Sequence, residues 1–198
     1  MAGFTVIPLF MVFYYGLTDR SGAFTLANIL AIGSSEHLKA LWLSLLLAGV
    51  STVICLILAY PLALILRKRH IGKGSFVVFI FILPMWMNFL LRTMAWQTLL
   101  EKNGVINTFL TLLHLPNVAI INTPAAIILG MVYNFLPFMV LPIYNTLVKI
   151  DDNVINAARD LGADNYQTLT KILIPLSVPG IVSGITMVFV PALTTFVI

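Results

Sequence analysis

Long apolar runs alternate with short polar segments along this chain. A membrane-spanning helix needs about 20 mostly apolar residues, because the hydrocarbon core is roughly 30 Å thick and each residue rises about 1.5 Å. The runs that approach or exceed this length are residues 3–17, 41–66, 75–100, 118–148 and 172–198. The first is short for a span, and the last reaches Ile198 without a polar flank. The pattern predicts one all-α integral membrane domain over residues 1–198, incomplete at its C-terminus.

The composition favours a bilayer over water. Of the 198 residues, 60% are hydrophobic and 9% are charged, whereas an ordinary soluble domain is about 25% charged. The net charge is +4, but the basic residues flank apolar runs, so we expect contact with membrane lipid and not with nucleic acid. Four Lys or Arg residues within residues 67–74 predict a cytoplasmic loop. Counting spans from that loop also places residues 149–171 in the cytoplasm.

The chain lacks the patterns that are typical of enzymes and metal sites. The predicted spans contain no Asp or Glu, and the His residues His37, His70 and His114 all fall in polar segments. The sequence has no Ser/His/Asp set, no HExxH motif and no glycine-rich phosphate loop. We therefore expect no catalytic residue, no metal and no cofactor.

Residues 151–175 form a polar segment with strong internal order. Asp151, Asp152 and Asn153 offer an N-cap, apolar residues follow at helical spacing, and Gly162 can end the helix in a left-handed conformation. Asp164 can cap a second short helix, which we expect Pro175 to end. Two short helices joined by a tight turn are more typical of a docking element than of a tether.

The spacing in this segment resembles the EAA loop of ATP-binding-cassette importer permeases. The family pattern is Glu-Ala-Ala, three residues, Gly, nine residues, Ile, one residue and Leu-Pro, and every interval matches. Asn156 stands where Glu is usual, and Ile174 where Leu is usual. In the family this loop is a coupling helix that sits in a groove of the ATPase subunit. The resemblance implies these ATPase-coupling residues: Asn156, Ala157, Ala158, Arg159, Asp160, Gly162, Asp164, Ile172 and Pro175.

A broader resemblance covers residues 41–191. The stretches VYNFLPFMVLPIY at 132–144 and AARDLGA at 157–163 are similar to spermidine/putrescine permeases. This likeness implies a type I importer transmembrane domain, with five of an expected six core spans present. It also implies polyamine transport by alternating access. The implied partners are cytoplasmic ATPase subunits, a second permease subunit and an extracytoplasmic solute-binding protein.

A polycation that crosses these spans meets no acid, so aromatic rings and amides are the groups left to guide it. The candidate pathway residues are Trp86, Asn88, Tyr133, Asn134 and Phe138. The alternative is that most of the aromatic residues serve in packing or in the interfacial belt. Asn134 is the best candidate, because an amide in mid-span needs a partner or water.

Three other functions stay open from the sequence. A permease for a different small solute would share these signatures. A transporter driven by an ion gradient would normally show an acid within the membrane or an inverted repeat, and neither is visible. A membrane scaffold without a transport role would not need the spacing of the motif.

Overall fold

The structure is a computed structural model that describes residues 2–19, 22–68, 86–117, 121 and 123–194. It divides into two compact units, Met1–Leu46 and Leu47–Ile198. The α-helices of the described residues are α1 Ala2–Gly16, α2 Ala27–Ile32, α3 Ser35–Lys68, α4 Phe89–Leu100, α5 Val105–Leu112, α6 Pro124–Val148, α7 Asp152–Asp160, α8 Asn165–Thr168 and α9 Ile174–Thr194. A π-helical turn, Leu169–Leu173, joins α8 to α9.

The first unit contains α1, α2 and the beginning of α3. Thr18 and Phe24 form an isolated antiparallel bridge, and Asn28 Nδ2 donates a hydrogen bond to the carbonyl of Thr18 at 3.1 Å. Helix α1 has 15 residues, which reach only about 22 Å. Helix α2 and the first turn of α3 form within residues 18–39, between the first two apolar runs.

Three helical stretches are long and apolar enough to cross a membrane, namely Ser35–Lys68, Pro124–Val148 and Asn165–Thr194. They contain 34, 25 and 30 residues, so they reach about 51, 38 and 45 Å. These lengths exceed the roughly 30 Å hydrocarbon core and confirm the second, fourth and fifth predicted spans. The helices continue through several prolines, which are Pro61, Pro137, Pro142, Pro179 and Pro191.

The third predicted span is not one continuous helix. Asn88 Oδ1 accepts a hydrogen bond from Leu90 N at 2.9 Å and caps the start of α4. The backbone of an N-cap residue lies outside the helical conformation, so the helix expected over residues 75–100 is interrupted there. Helix α4 has 12 residues, and residues 75–85 lie outside the described part of the chain.

Direct packing of α6 on α9 organises the second unit. A Cβ atom added to Gly180 would lie 2.7 Å from the carbonyl oxygen of Pro142, and one added to Gly184 would lie 2.7 Å from Met139 Sδ. Small residues let helix backbones approach closely in lipid, where hydrophobic burial gives little drive for association. The residues that are fully buried around this contact include Met139, Ile143, Leu147 and Val188.

Helix α3 contributes a stripe of small residues to the same core. Cys55, Ala59 and Ala63 are fully buried, and their spacing of four places them on one face of the helix. Tyr60 Oη and Ser177 Oγ lie 3.1 Å apart, within hydrogen-bonding distance, and join α3 to α9.

We predict that Gly180→Ala destabilises the second unit, because the added methyl group would overlap the Pro142 carbonyl and the Thr146 side chain. Overpacking of this kind costs about 1–3 kcal/mol. The measurement is the thermal unfolding midpoint of the protein in detergent. Gly49→Ala is the matched control, because nothing lies within 4 Å of a Cβ added there. Equal midpoints for the two variants would contradict the close packing of α6 and α9.

Candidate functional site

Between α6 and α9 the chain forms two short helices, α7 and α8, which together with their caps we name the helix pair (residues 151–168). Asp151 caps α7, since its side chain accepts a hydrogen bond from Asn153 N at 2.9 Å. Asp164 caps α8 in a capping box, and Gln167 N lies 2.6 Å from Asp164 Oδ1. Of the three candidates predicted for the first cap, Asp151 is the one that caps α7, and the predicted cap Asp164 is confirmed. Each helix start therefore has a local hydrogen bond that satisfies a backbone donor.

Gly162 makes the turn between the two helices. Its φ of 87° lies in the left-handed region, which glycine adopts without a steric penalty. Gly162 N donates to Arg159 O at 2.9 Å, and Ala163 N donates to Ala158 O at 3.0 Å. These two bonds form a Schellman motif, which satisfies the last carbonyl groups of α7. The predicted end of the first helix at Gly162 is confirmed.

The predicted end of the second helix at Pro175 is wrong. The chain continues from α8 through the π-helical turn into α9, so one helical stretch reaches Thr194. Proline lacks an N–H donor, and its ring crowds the carbonyl four residues earlier in an α-helix. The π-helical turn ends at Leu173, just before Pro175. Its wider hydrogen-bond spacing lets the helix pass the proline.

The turn of the helix pair presents large apolar side chains to the outside. Leu161 is 90% exposed and Tyr166 is 73% exposed. Ile155, in contrast, is 8% exposed and anchors α7 toward the rest of the unit. Exposed apolar side chains next to an ordered turn are typical of a contact surface for another protein.

A second side of α7 borders a cavity of about 520 Å³. The lining residues of α7 lie at helical spacing and are Asp152, Ile155, Asn156 and Arg159. Arg67, near the end of α3, forms part of the facing wall. The described lining residues mix leucine and isoleucine side chains with polar ones and include more cations than acids.

The structure divides the predicted coupling residues between several environments. Those that line the cavity beside α7 are Asn156 and Arg159. Those that are exposed outside the cavity lining are Ala157, Asp160, Gly162, Asp164 and Pro175. Those that are half-buried are Ala158 and Ile172. Arg159 also joins the two helices, since its Nη2 lies 3.4 Å from Asn165 Oδ1.

A smaller cavity, of about 290 Å³, lies between α4 and α6. Asn134 lines it and is 8% exposed, and its Oδ1 is buried without a hydrogen-bond partner among the described residues. A buried acceptor left unpaired costs about 1–3 kcal/mol. The described lining residues include no acid and no base. The cavity therefore offers a neutral wall whose polar side chains are Thr93, Gln97, Thr123 and Asn134.

The remaining predicted pathway residues differ in their surroundings. Tyr133 is 37% exposed and meets Trp96 edge-on, with ring centroids 5.2 Å apart. Phe138 is also 37% exposed, whereas Trp86 is 74% exposed. Asn88 is engaged in capping α4. None of these four lines the cavity at Asn134.

Helix α4 supplies cavity residues that the sequence interpretation did not single out. They are Thr93, Trp96, Gln97 and Leu100. Their spacing of three, four and seven places them on one helix face. That spacing is visible in the sequence and was the signal that could have found them.

The sequence is similar to permeases of known transport systems. It is 35% identical to the spermidine/putrescine transport system permease protein PotB of Haemophilus influenzae, over 98% of this chain and 70% of that protein. It is 36% identical to PotB of Escherichia coli strain K12, over 98% of this chain and 73% of that protein. The inner membrane ABC transporter permease protein YdcU of the same strain is 32% identical, over 88% of this chain and 60% of that protein.

Residues 57–198 match the family described as the binding-protein-dependent transport system inner membrane component. The match includes α6, the helix pair and α9. Together with the three long apolar helices, it identifies a multi-pass inner membrane protein and a component of a transport system. The chain therefore belongs to the binding-protein-dependent transport system inner membrane component family.

Proposed function

We propose that this chain is a permease subunit of an ATP-binding-cassette importer that moves polyamines across the inner membrane. The observation that carries the proposal is the 35% and 36% identity, over 98% of the chain, to two permeases named for spermidine and putrescine. The partners are cytoplasmic ATPase subunits, a second permease subunit and an extracytoplasmic solute-binding protein. The ATPase subunits hydrolyse ATP, so this chain is a transport component and not an enzyme.

In this proposal, residues 1–198 belong to one transmembrane permease domain, and residues 151–175 are its coupling loop. Leu161 and Tyr166 support a docking role, because their exposed side chains can be buried in a groove of the ATPase subunit. The caps and the Schellman motif support it as well, since an ordered loop transmits a push with little deformation. Closure of the ATPase subunits then displaces α6 and α9, which flank the helix pair.

The proposed solute pathway passes the cavity between α4 and α6. The ammonium groups of a polyamine are hydrogen-bond donors, and Asn134 Oδ1 is a buried acceptor without a described partner. Trp96 lines the same cavity, and Tyr133 packs edge-on against Trp96. A polyamine in this cavity would therefore lie near aromatic rings, which attract cations. Weak, neutral contacts suit a pathway, because a solute that binds tightly leaves slowly.

We predict that Leu161→Ser weakens the association of the chain with its ATPase subunit. Burial of a leucine side chain contributes about 1.5–3 kcal/mol, so its loss lowers affinity about tenfold or more. The measurement is the amount of ATPase subunit that co-purifies with the full-length permease in mild detergent.

Leu112→Ser is the matched control for this experiment, because Leu112 is 74% exposed and lies on α5, outside the helix pair. Its variant should retain the ATPase at the level of the unmodified chain. If Leu161→Ser retains as much ATPase as this control, the helix pair is not the docking element.

We predict that Asn134→Leu lowers polyamine uptake without lowering stability. The change removes a buried acceptor that has no described partner, so the thermal midpoint should stay equal or rise. Uptake of labelled spermidine by the reconstituted importer should fall several-fold, because the cavity wall loses the amide group of Asn134. Leu129→Met is the control, since it changes the shape of the same cavity wall without changing its polarity. Unchanged uptake in the Asn134→Leu variant would remove this residue from the pathway.

A further inference from the structure

Arg67 lies in the last turn of α3. Its side chain reaches the short connection between α6 and α7, residues 149–151, which we name the joint. Its Nη2 donates to the carbonyl oxygen of Ile150 at 2.9 Å and to Asp152 Oδ1 at 2.8 Å. The Arg67 side chain is 14% exposed, whereas that of Asp152 is 65% exposed. One guanidinium nitrogen is therefore held against two acceptors that belong to consecutive structural elements.

The two acceptors mark the place where motion of the helix pair reaches the spans. Helix α6 ends at Val148 and α7 begins at Asp152, so the connection is short. Ile150 lies inside this connection, and Asp152 is the first residue of α7. Arg67 thus fastens the joint to a third helix, α3, which is a long apolar helix of its own.

We infer that Arg67 is a positioning residue for transport, which makes α3, α6 and α7 move together when the ATPase pushes on the helix pair. This inference rests on the proposed function as a coupled importer. Without the Arg67 contacts, α7 can swing about the short connection, and ATP hydrolysis then displaces the spans less. The guanidinium suits this position, because it stays charged and its Nη2 donates to a carbonyl and to a carboxylate at once.

The same geometry indicates a role in coupling more than in stability. Asp152 is largely exposed, and ion pairs in contact with water contribute little to folding. The apolar core that α3 shares with α6 and α9 does not include Arg67. The loss of Arg67 should therefore leave the protein folded while it loosens the joint.

The test compares Arg67→Gln with Lys68→Gln in the complete importer, reconstituted in lipid vesicles with its ATPase subunits, second permease subunit and binding protein. Lys68 is the matched control, because it is an exposed neighbouring cation with no hydrogen bond or ion pair among the described residues. The readout is spermidine taken up per ATP hydrolysed. We expect this ratio to fall about fivefold or more for Arg67→Gln, in the range of ordinary coupling effects, and to stay unchanged for Lys68→Gln.

Asp152→Asn separates the two contacts of Arg67. This variant loses the ion pair but keeps the hydrogen bond to Ile150 O, so we expect a smaller loss of coupling. The double variant Arg67→Gln/Asp152→Asn should match Arg67→Gln alone, because both changes act on one joint. Independent, multiplying effects of the two changes would contradict a shared joint.

Hydrogen exchange of the full chain in detergent supplies a readout that does not depend on transport. Arg67→Gln should speed exchange of the backbone amides at residues 149–153 and leave those of α9 unchanged. Unchanged exchange at residues 149–153 would overturn the positioning role. Faster exchange there without a change in the spermidine taken up per ATP hydrolysed would overturn it as well. If the unmodified importer shows no ATP-dependent spermidine uptake, the proposed function fails, whereas the exchange result still decides whether Arg67 holds the joint.

Discussion

The close approach of α6 and α9 is the contact on which the second unit depends. Gly180 and Gly184 leave no space for a Cβ atom against α6, so the two helix backbones lie nearly in contact. The helix pair begins just after α6 and continues without a break through the π-helical turn into α9. Both of its ends are therefore attached to helices that are packed against each other.

In the proposed importer, this arrangement suits the helix pair to a mechanical role. A loop fixed at one end absorbs displacement, whereas an ordered loop fixed at both ends passes displacement to the helices that carry it. Asn134 lies on α6, on the wall of the cavity that faces α4. Under the proposed function, a shift of α6 changes the surroundings of Asn134, the proposed contact for a solute. Arg67 connects a third helix, α3, to the start of the helix pair.

The local features of the helix pair could be predicted because they depend on neighbours in the sequence. Asp151 and Asp164 act as caps and Gly162 adopts a positive φ, each for reasons that a few adjacent residues determine. The long spans were equally predictable, since length and hydropathy decide them. The membership of the family followed from the spacing of the motif.

The errors arose where a distant or competing contact decides the outcome. Pro175 does not end its helix, because the preceding π-helical turn accommodates it. The third span was predicted as one helix, but the Asn88 side chain caps α4 and interrupts it. The contact between Arg67 and Asp152 joins residues that are 85 positions apart. The periodicity of apolar residues predicts helices but not contacts between residues so distant in the sequence.

The most direct test of the whole interpretation is spermidine uptake by vesicles that contain the complete importer, with ATP on the ATPase side and all ion gradients collapsed by ionophores. An ATP-driven permease takes up spermidine under these conditions, and uptake stops when ATP or the binding protein is omitted. Uptake that disappears with the ion gradients and persists without ATP would contradict coupling through the helix pair. It would instead identify a gradient-driven transporter.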